Sequence, residues 1–228
     1  MRALVVSVGQ MLGSLDGEQT IDGIKVQSAM FTGSAKKFMI GFGFGAPKGV
    51  SDVHLKLAID GLDSPMVPPG VYHDYLPRHI AIAPRVSGIA KEDLQRVLTE
   101  LVDSAGQPGP DPDFMAIGME LLAKGPLVLS LDEVALDVGQ AALTGGGQVE
   151  VTSPTEISGE GEFRMTGLDE LIKRSSTTPE LKQAGPVLIM LKGLGKPDGK
   201  QMVWKIAYDG GKMMVNGNDL SGMIPGTK

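Results

Sequence analysis

The stretch PLVLSLDEVALDVGQAALTGGGQVEVTSPTEISGEGEFRMTG, residues 126–167, decides the fold. Apolar and polar residues alternate through it with a period of two, which sends one set to each face of a β-strand. Leu127, Leu129 and Leu131 are odd-numbered, whereas Val134, Leu136 and Val138 are even-numbered. Strict alternation cannot keep all six on one face. An extra residue at Asp132-Glu133, a β-bulge, restores the phase. Ala141–Val151 and Ile157–Met165 then alternate cleanly with apolar residues at odd positions, joined by a turn around Ser153-Pro154. Gly145, Gly146, Gly147, Gly159 and Gly161 crowd the middle of this pair and predict a strongly curved sheet.

Downstream, Leu168–Arg174 predicts a short helix, and Thr178-Pro179 opens a longer one over Glu180–Leu194. Its apolar face is Leu181, Ala184, Val187, Leu188 and Leu191, with a kink at Gly185-Pro186. Met202, Trp204, Ile206 and Tyr208 share one face of a strand, and Asp209-Gly210-Gly211 is a hairpin turn into Lys212–Asn216. Residues 218–228 read as a turn of helix and a frayed end. Upstream, Asp113–Lys124 is a helix stopped by Gly125-Pro126, with Asp111 as N-cap and Pro112 at the first helical position. An amphipathic helix precedes it over Ala90–Ser104, with Leu94, Val97, Leu98, Leu101 and Val102 on one side. Still earlier come strands at His79–Val86 and Asp52–Leu62. A hairpin of Ile21–Phe31 and Ser34–Phe44 begins the series, its turn at Thr32-Gly33.

Strands, two helices, three strands, two helices and two strands is not the alternation of a parallel β/α fold. The expected class is α+β: a long, strongly curved antiparallel β-sheet with four amphipathic helices packed on one face. Residues 1–228 read as a single β-rich domain, with sub-boundaries at 63–70 and 105–113. The chain is 42% apolar and long enough for a substantial core. A net charge of −6 without a basic cluster, and only 4% aromatics, argue against nucleic acid as a partner. The absence of Cys removes disulfides, thiolate chemistry and Cys-ligated zinc. MRALVVSV at the start is strand-like and too short for a signal h-region, and no stretch reaches the length of a membrane span.

Motifs that imitate binding sites do not hold together. GFGFG at 41–45 is followed by Pro47-Lys48-Gly49 where a helix should begin, so it reads as a glycine-rich strand end. GLGKPDGK at 193–200 follows a helix and precedes a strand, the reverse of a phosphate loop, and Gln201 replaces the Mg²⁺-holding hydroxyl. Asp111/Asp113 and Asp132/Glu133 lack the further oxygens of a calcium loop, so no metal and no cofactor is expected. His54, His73 and His79 read as surface histidines; His73-Asp74-Tyr75 is the only local polar cluster in a Pro-rich loop. The thirteen methionines supply flexible core packing or, alternatively, a pliable surface for apolar ligands.

The C-terminal half resembles two uncharacterised Gram-negative envelope families, known as domain of unknown function 945 and domain of unknown function 2125. The resemblance lies in ELLAKGP, LVLSLDEVAL, GEFRMTGLDELI and the closing WKIAYDGGKMMVNGNDL. It implies an exported, β-rich envelope protein and assigns no chemistry. Such families carry an N-terminal anchor or signal peptide, which this chain does not show.

Three functional readings follow. The first is a non-enzymatic periplasmic or envelope-associated protein that binds a lipid or another hydrophobic ligand in a groove between curved sheet and helices. Leu129, Leu136, Met165, Leu188, Met202 and Trp204 would line it. The second is a structural or protein-interaction module with a solid core, pairing through strand edges with an envelope partner. The third is a hydrolase using His73 or His79.

Overall fold

The computed structural model describes residues 14–27, 32–45, 49–67, 70–104 and 113–221, without the side chains of residues 71, 72, 101–104, 114 and 180. The strands are β1 Ser14–Gln27, β2 Thr32–Gly45, β3 Val50–Asp60, β4 Pro77–Ala90, β5 Leu127–Val138 and β6 Ala141–Ser153. They continue with β7 Glu156–Thr166, β8 Lys196–Asp198, β9 Gln201–Asp209, β10 Lys212–Val215 and β11 Asn218–Asp219. Four helices are interspersed: α1 Lys91–Ser104, α2 Phe114–Leu122, α3 Leu168–Thr177 and α4 Gly185–Leu194. A helical turn at Val71–Asp74 and a 3-10 segment at Pro179–Ala184 complete the elements.

All strands pair antiparallel in one open sheet ordered β1-β2-β3-β4-β5-β6-β7-β9-β10-β11, with β8 alongside β9. This is the expected α+β class. Neighbours in sequence are neighbours in the sheet except at β8, which pairs with β9 while β7 also pairs with β9. The two links that carry helices, after β4 and after β7, return to the next place in the sheet. The sheet also runs unbroken past both predicted sub-boundaries, since β3 pairs with β4 and β4 with β5.

The register between β5 and β6 shifts between Leu131 and Val134, where the alternation loses phase. The β4 side shifts at Ala83/Pro84. Pro84 has no N–H to give to the ladder, so the irregularity falls where pairing is already weakened. The 180–194 helix does break at Gly185-Pro186: a 3-10 segment precedes it and α4 starts there.

Other details differ from expectation. The N-cap of α2 is Asp113, whose Oδ1 accepts from the Ala116 N–H at 3.0 Å; Asp111 and Pro112 lie outside the described residues. Thr32-Gly33 is not the turn of the first hairpin but the start of β2, paired with Gln27 and Val26; residues 28–31 lie outside the described residues. Part of GKPDGK is not loop but β8, folded back on β9 with Asp198 opposite Gln201. The segment read as a turn of helix and a frayed end begins instead with the two-residue strand β11, because Asn216 (φ 51°) and Gly217 (φ 86°) form a second tight hairpin. Ser221 is in a 3-10 turn, and residues 222–228 lie outside the described residues. Asn tolerates the left-handed region, so the turn was encoded in the dipeptide.

α3 and α4 pack on one face of the sheet through Leu168, Trp204 and Val215, all buried, with Phe163, Met165, Ile172, Leu188, Leu194, Met202 and Ile206 around them. Trp204 Nε1–H donates to the Leu191 carbonyl at 2.8 Å, tying β9 to α4. α1 lies against β3 and β4, where Ser51, Ile89 and Leu94 are buried. It is joined to α2 by Arg96 to Glu120 (2.7 Å) and by Lys124 to Asp93. Among the described residues no helix is long and apolar enough to cross a membrane.

Candidate functional site: two faces of one sheet

Because facing residues in antiparallel strands point to the same side, the register sorts the whole sheet into rows. One row runs Ile21, Phe38, Ile59, Ile80, Leu136, Leu143, Met165 and Met202, apolar on eight consecutive strands. The next runs Ile40, Leu57, Ile82, Val134, Gly145, Phe163 and Trp204. A further row holds Phe44, Val53, Val86, Leu129 and Val149.

On the opposite side the row between the first two reads Thr20, Met39, Ala58, Ala81, Ala135, Thr144, Arg164 and Val203. Here lies an inversion of the usual core. Ala58, Ala81, Ala83 and Ala135 are buried, each at most 9% exposed. None of the large apolar residues in the rows above is buried between β2 and β6. Phe42, on the same face, is 52% exposed, Leu129 44% and Ile82 41%. Met39 packs against Ala58, Ala81 and Ala135, and ion pairs lie on the same side of the sheet. Lys56 Nζ meets Glu133 Oε2 at 2.7 Å, and His79 Nδ1 meets Asp60 Oδ1 at 2.6 Å. The Glu133 hydrogen bond and charge push the Lys56 pKa up.

The apolar face therefore has two parts. Over β7 and β9 it is covered by α3 and α4 and forms a packed core. Over β2–β6 its large side chains are left partly open. Four of the six residues expected to line a groove, Met165, Leu188, Met202 and Trp204, sit in the packed part. Leu136 and Leu129 belong to the open part, in its first and third rows. The five on strands thus share a face, with Leu188 packed against it from α4, but the space between sheet and helices is filled where four of the six lie. The methionines divide likewise: Met165, Met202 and Met213 join the core, while Met115, Met119 and Met190 are half or more exposed. The outer side of α4 adds Val187 and Ile189 at 53% and 60%.

The polar face carries a hollow of about 1210 Å³ over the glycine-rich parts of β6 and β7. Asp132, Glu160, Glu162, Arg164, Asp198 and Lys205 are among its lining. These charges largely satisfy one another. Arg164 holds Glu162 at 2.6 Å and Asp198 at 3.2 Å, Lys205 reaches Glu162 at 3.5 Å, and Arg85 holds Asp132 at 2.6 Å. The Arg164 hydrogen bond keeps the Glu162 carboxyl below its usual range. Asp132 hydrogen-bonding likewise raises Arg85. None of the six predicted residues lines this hollow.

Each histidine is held by an aspartate: His54 Nε2 by Asp16 at 3.1 Å, His73 Nε2 by Asp63 at 3.2 Å and His79 by Asp60. The two proposed as hydrolytic bases therefore hydrogen-bond to carboxylates on neighbouring elements rather than to a hydroxyl. Among the described residues no group of three His, Asp or Glu could hold a metal ion. What sequence reading missed is the polar hollow, whose residues come from six strands and carry no local motif. No protein-family model matches this chain, and neither does any curated protein or solved structure.

Proposed function

We propose that this protein is a non-enzymatic binder of lipid or another elongated apolar molecule, and that the ligand lies on the uncovered part of the apolar sheet face. The observation that carries the reading is the inversion itself: alanines are buried while Phe42, Ile82 and Leu129 face outward. A water-exposed apolar patch of this extent is unusual on a protein surface and marks a binding area. The open part spans five strands, about 20 Å across, and four residue pairs along the strands, again about 20 Å or more. One leaflet of a bilayer's hydrocarbon core is about 15 Å thick, so an acyl chain fits along this face. An exported, envelope-associated setting, which the resemblance implies, agrees with a lipid ligand.

The test is uptake of a fluorescent fatty acid by delipidated protein, together with native mass spectrometry of the protein as purified. Ile82→Glu places an unpaired carboxylate in the middle of the face and is expected to weaken binding at least about tenfold, since burying an unpaired charge costs well over 1.4 kcal/mol. Thr144→Glu, in the polar row on the opposite side, is expected to change nothing. A wild-type protein that takes up no fatty acid and purifies without any apolar molecule sinks the proposal.

A second reading, a module that pairs through strand edges, is favoured by β1. Among the described residues this fourteen-residue strand has a partner on one side only. An edge of that length invites strand addition. Concentration-dependent dimerisation in the absence of lipid, abolished by Gln19→Pro, is the outcome that supports it.

A further inference from the structure

We propose that the Lys36–Arg78 end of the apolar face holds an anionic head group, a phosphate or a carboxylate, so that the ligand is an anionic amphiphile rather than a neutral hydrocarbon. The inference rests on the reading above of this face as an acyl-binding surface. Lys36 precedes Phe38 by two residues on β2, and Arg78 precedes Ile80 by two on β4, so alternation puts both on the apolar side. Both are exposed.

Gly61 lies between them in the same row. The Lys36 N–H donates to the Gly61 carbonyl at 3.3 Å, and the Gly61 N–H donates to the Arg78 carbonyl at 2.7 Å. The Lys36 stem lies across Gly61, where a Cβ would come within 2.6 Å of Lys36 Cδ. The lysine thus leans toward β4 over a position that only glycine leaves open. Two strand spacings separate the Cα atoms of Lys36 and Arg78, about 10 Å, which two long side chains bridge around one anion. The Arg78 guanidinium donates to the Gly139 carbonyl in the β5–β6 turn and meets no carboxylate among the described residues.

Three acids near this end have other partners. Asp60 is held by His79 on the opposite face, Asp63 by His73, and Glu170 by Arg174 at 3.0 Å. In a chain of net charge −6, two cations at the rim of an apolar surface that meet no carboxylate among the described residues are a specific arrangement. Apolar surroundings strengthen a charge-assisted hydrogen bond, and the lysine stem adds apolar contact beneath it. The far end of the same strands is closed by α1, with Ile89 and Leu94 buried. The head group therefore sits at Lys36 and Arg78, and the tail runs along Phe38, Ile40 and Phe42 toward α1.

The experiment compares four probes on the full chain: oleate, oleoyl lysophosphatidate, oleyl alcohol and inorganic phosphate. Oleate or lysophosphatidate is expected to bind at least about tenfold more tightly than the alcohol, and which of the two binds better identifies carboxylate or phosphate. Lys36→Gln and Arg78→Gln, singly and together, are expected to remove that preference while leaving alcohol binding unchanged. Lys37→Gln, the same charge change on the opposite face, is expected to keep it. Lys36→Gln alone alters only an exposed side chain and remains decisive should the arginine variant unfold. Equal binding of acid and alcohol by the wild type overturns the head-group site and leaves the acyl-binding reading intact. Inorganic phosphate binding as tightly as lysophosphatidate overturns it in favour of a free-anion site. Absence of binding by all three lipids overturns both.

Discussion

At the residue scale, Trp204 shows how one side chain links layers. It is 7% exposed and its indole N–H is satisfied by the Leu191 carbonyl, so it contributes both packing and a buried hydrogen bond. Trp204→Ala is expected to cost about 3–5 kcal/mol in denaturant unfolding, and Trp204→Phe about 1 kcal/mol, mainly for the lost hydrogen bond. Equal costs for the two variants would show that packing around the indole contributes nothing. Glu162 offers a pH test. Its folded-state carboxyl is held below the ordinary range, chiefly by the Arg164 hydrogen bond. Its contribution to stability is therefore complete above the usual glutamate range and disappears as the pH falls through the lowered value. Carboxyl carbon NMR is expected to show Glu162 titrating below the usual glutamate range, and Arg164→Met is expected to move it up. Both carboxylate and guanidinium were visible in the sequence, two residues apart, yet β8 brings in Asp198 as a third member that no local spacing announces.

At the element scale, the crossing of β1, β2 and β3 depends on one position. Asp16 and His54 stand on strands separated by β2, and meet because Gly43 lies between them. A Cβ at Gly43 would come within 2.3 Å of Asp16 Oδ1 and 2.5 Å of His54 Cε1. Gly43→Val is expected to part the pair and loosen β1, seen as faster amide exchange along Ser14–Gln27 with little change in β6 and β7. Unchanged exchange in β1 would mean that backbone pairing alone holds the strand. A second element test concerns the turn at Asn216-Gly217. Asn216 Nδ2 donates to the Leu194 and Val203 carbonyls at 2.9 and 2.8 Å, and its Oδ1 accepts from the Lys205 N–H at 3.0 Å. Asn216→Ala leaves these groups unpaired and strains a φ of 51°, so a loss of about 2–4 kcal/mol is expected. A loss within the scatter of ordinary surface substitutions would show that water replaces the side chain there. The β5 bulge and the Asp209–Lys212 hairpin were legible because phase and turn residues are local signals. β8 and β11 were not, since three- and two-residue strands have too few side chains to show a period.

At the scale of the whole molecule, the face proposed to hold the ligand is also the face that α3 and α4 cover in part. Double substitution of Phe42 and Ile82 by Ser is expected to raise solubility and leave the unfolding free energy within about 1 kcal/mol of wild type, because these side chains lie outside the packed core. A large loss of stability would place them in a core after all and remove the basis for ligand binding. The alternation of each strand, the bulge that keeps β5 in phase, and the helical stripes are properties of neighbouring residues, so sequence by itself determined an antiparallel α+β sheet with one apolar side. Which portion of that side lies under helices depends on where α3 and α4 return to the sheet, and which cations gather at its end depends on strands far apart in the chain. Lys36, Gly61 and Arg78 become neighbours only through pairing, and Leu129 and Trp204, equivalent in pattern, part company because a helix layer covers one and not the other. Local period sets the face of each side chain, whereas coverage is a long-range packing outcome, and only the tertiary structure decided it.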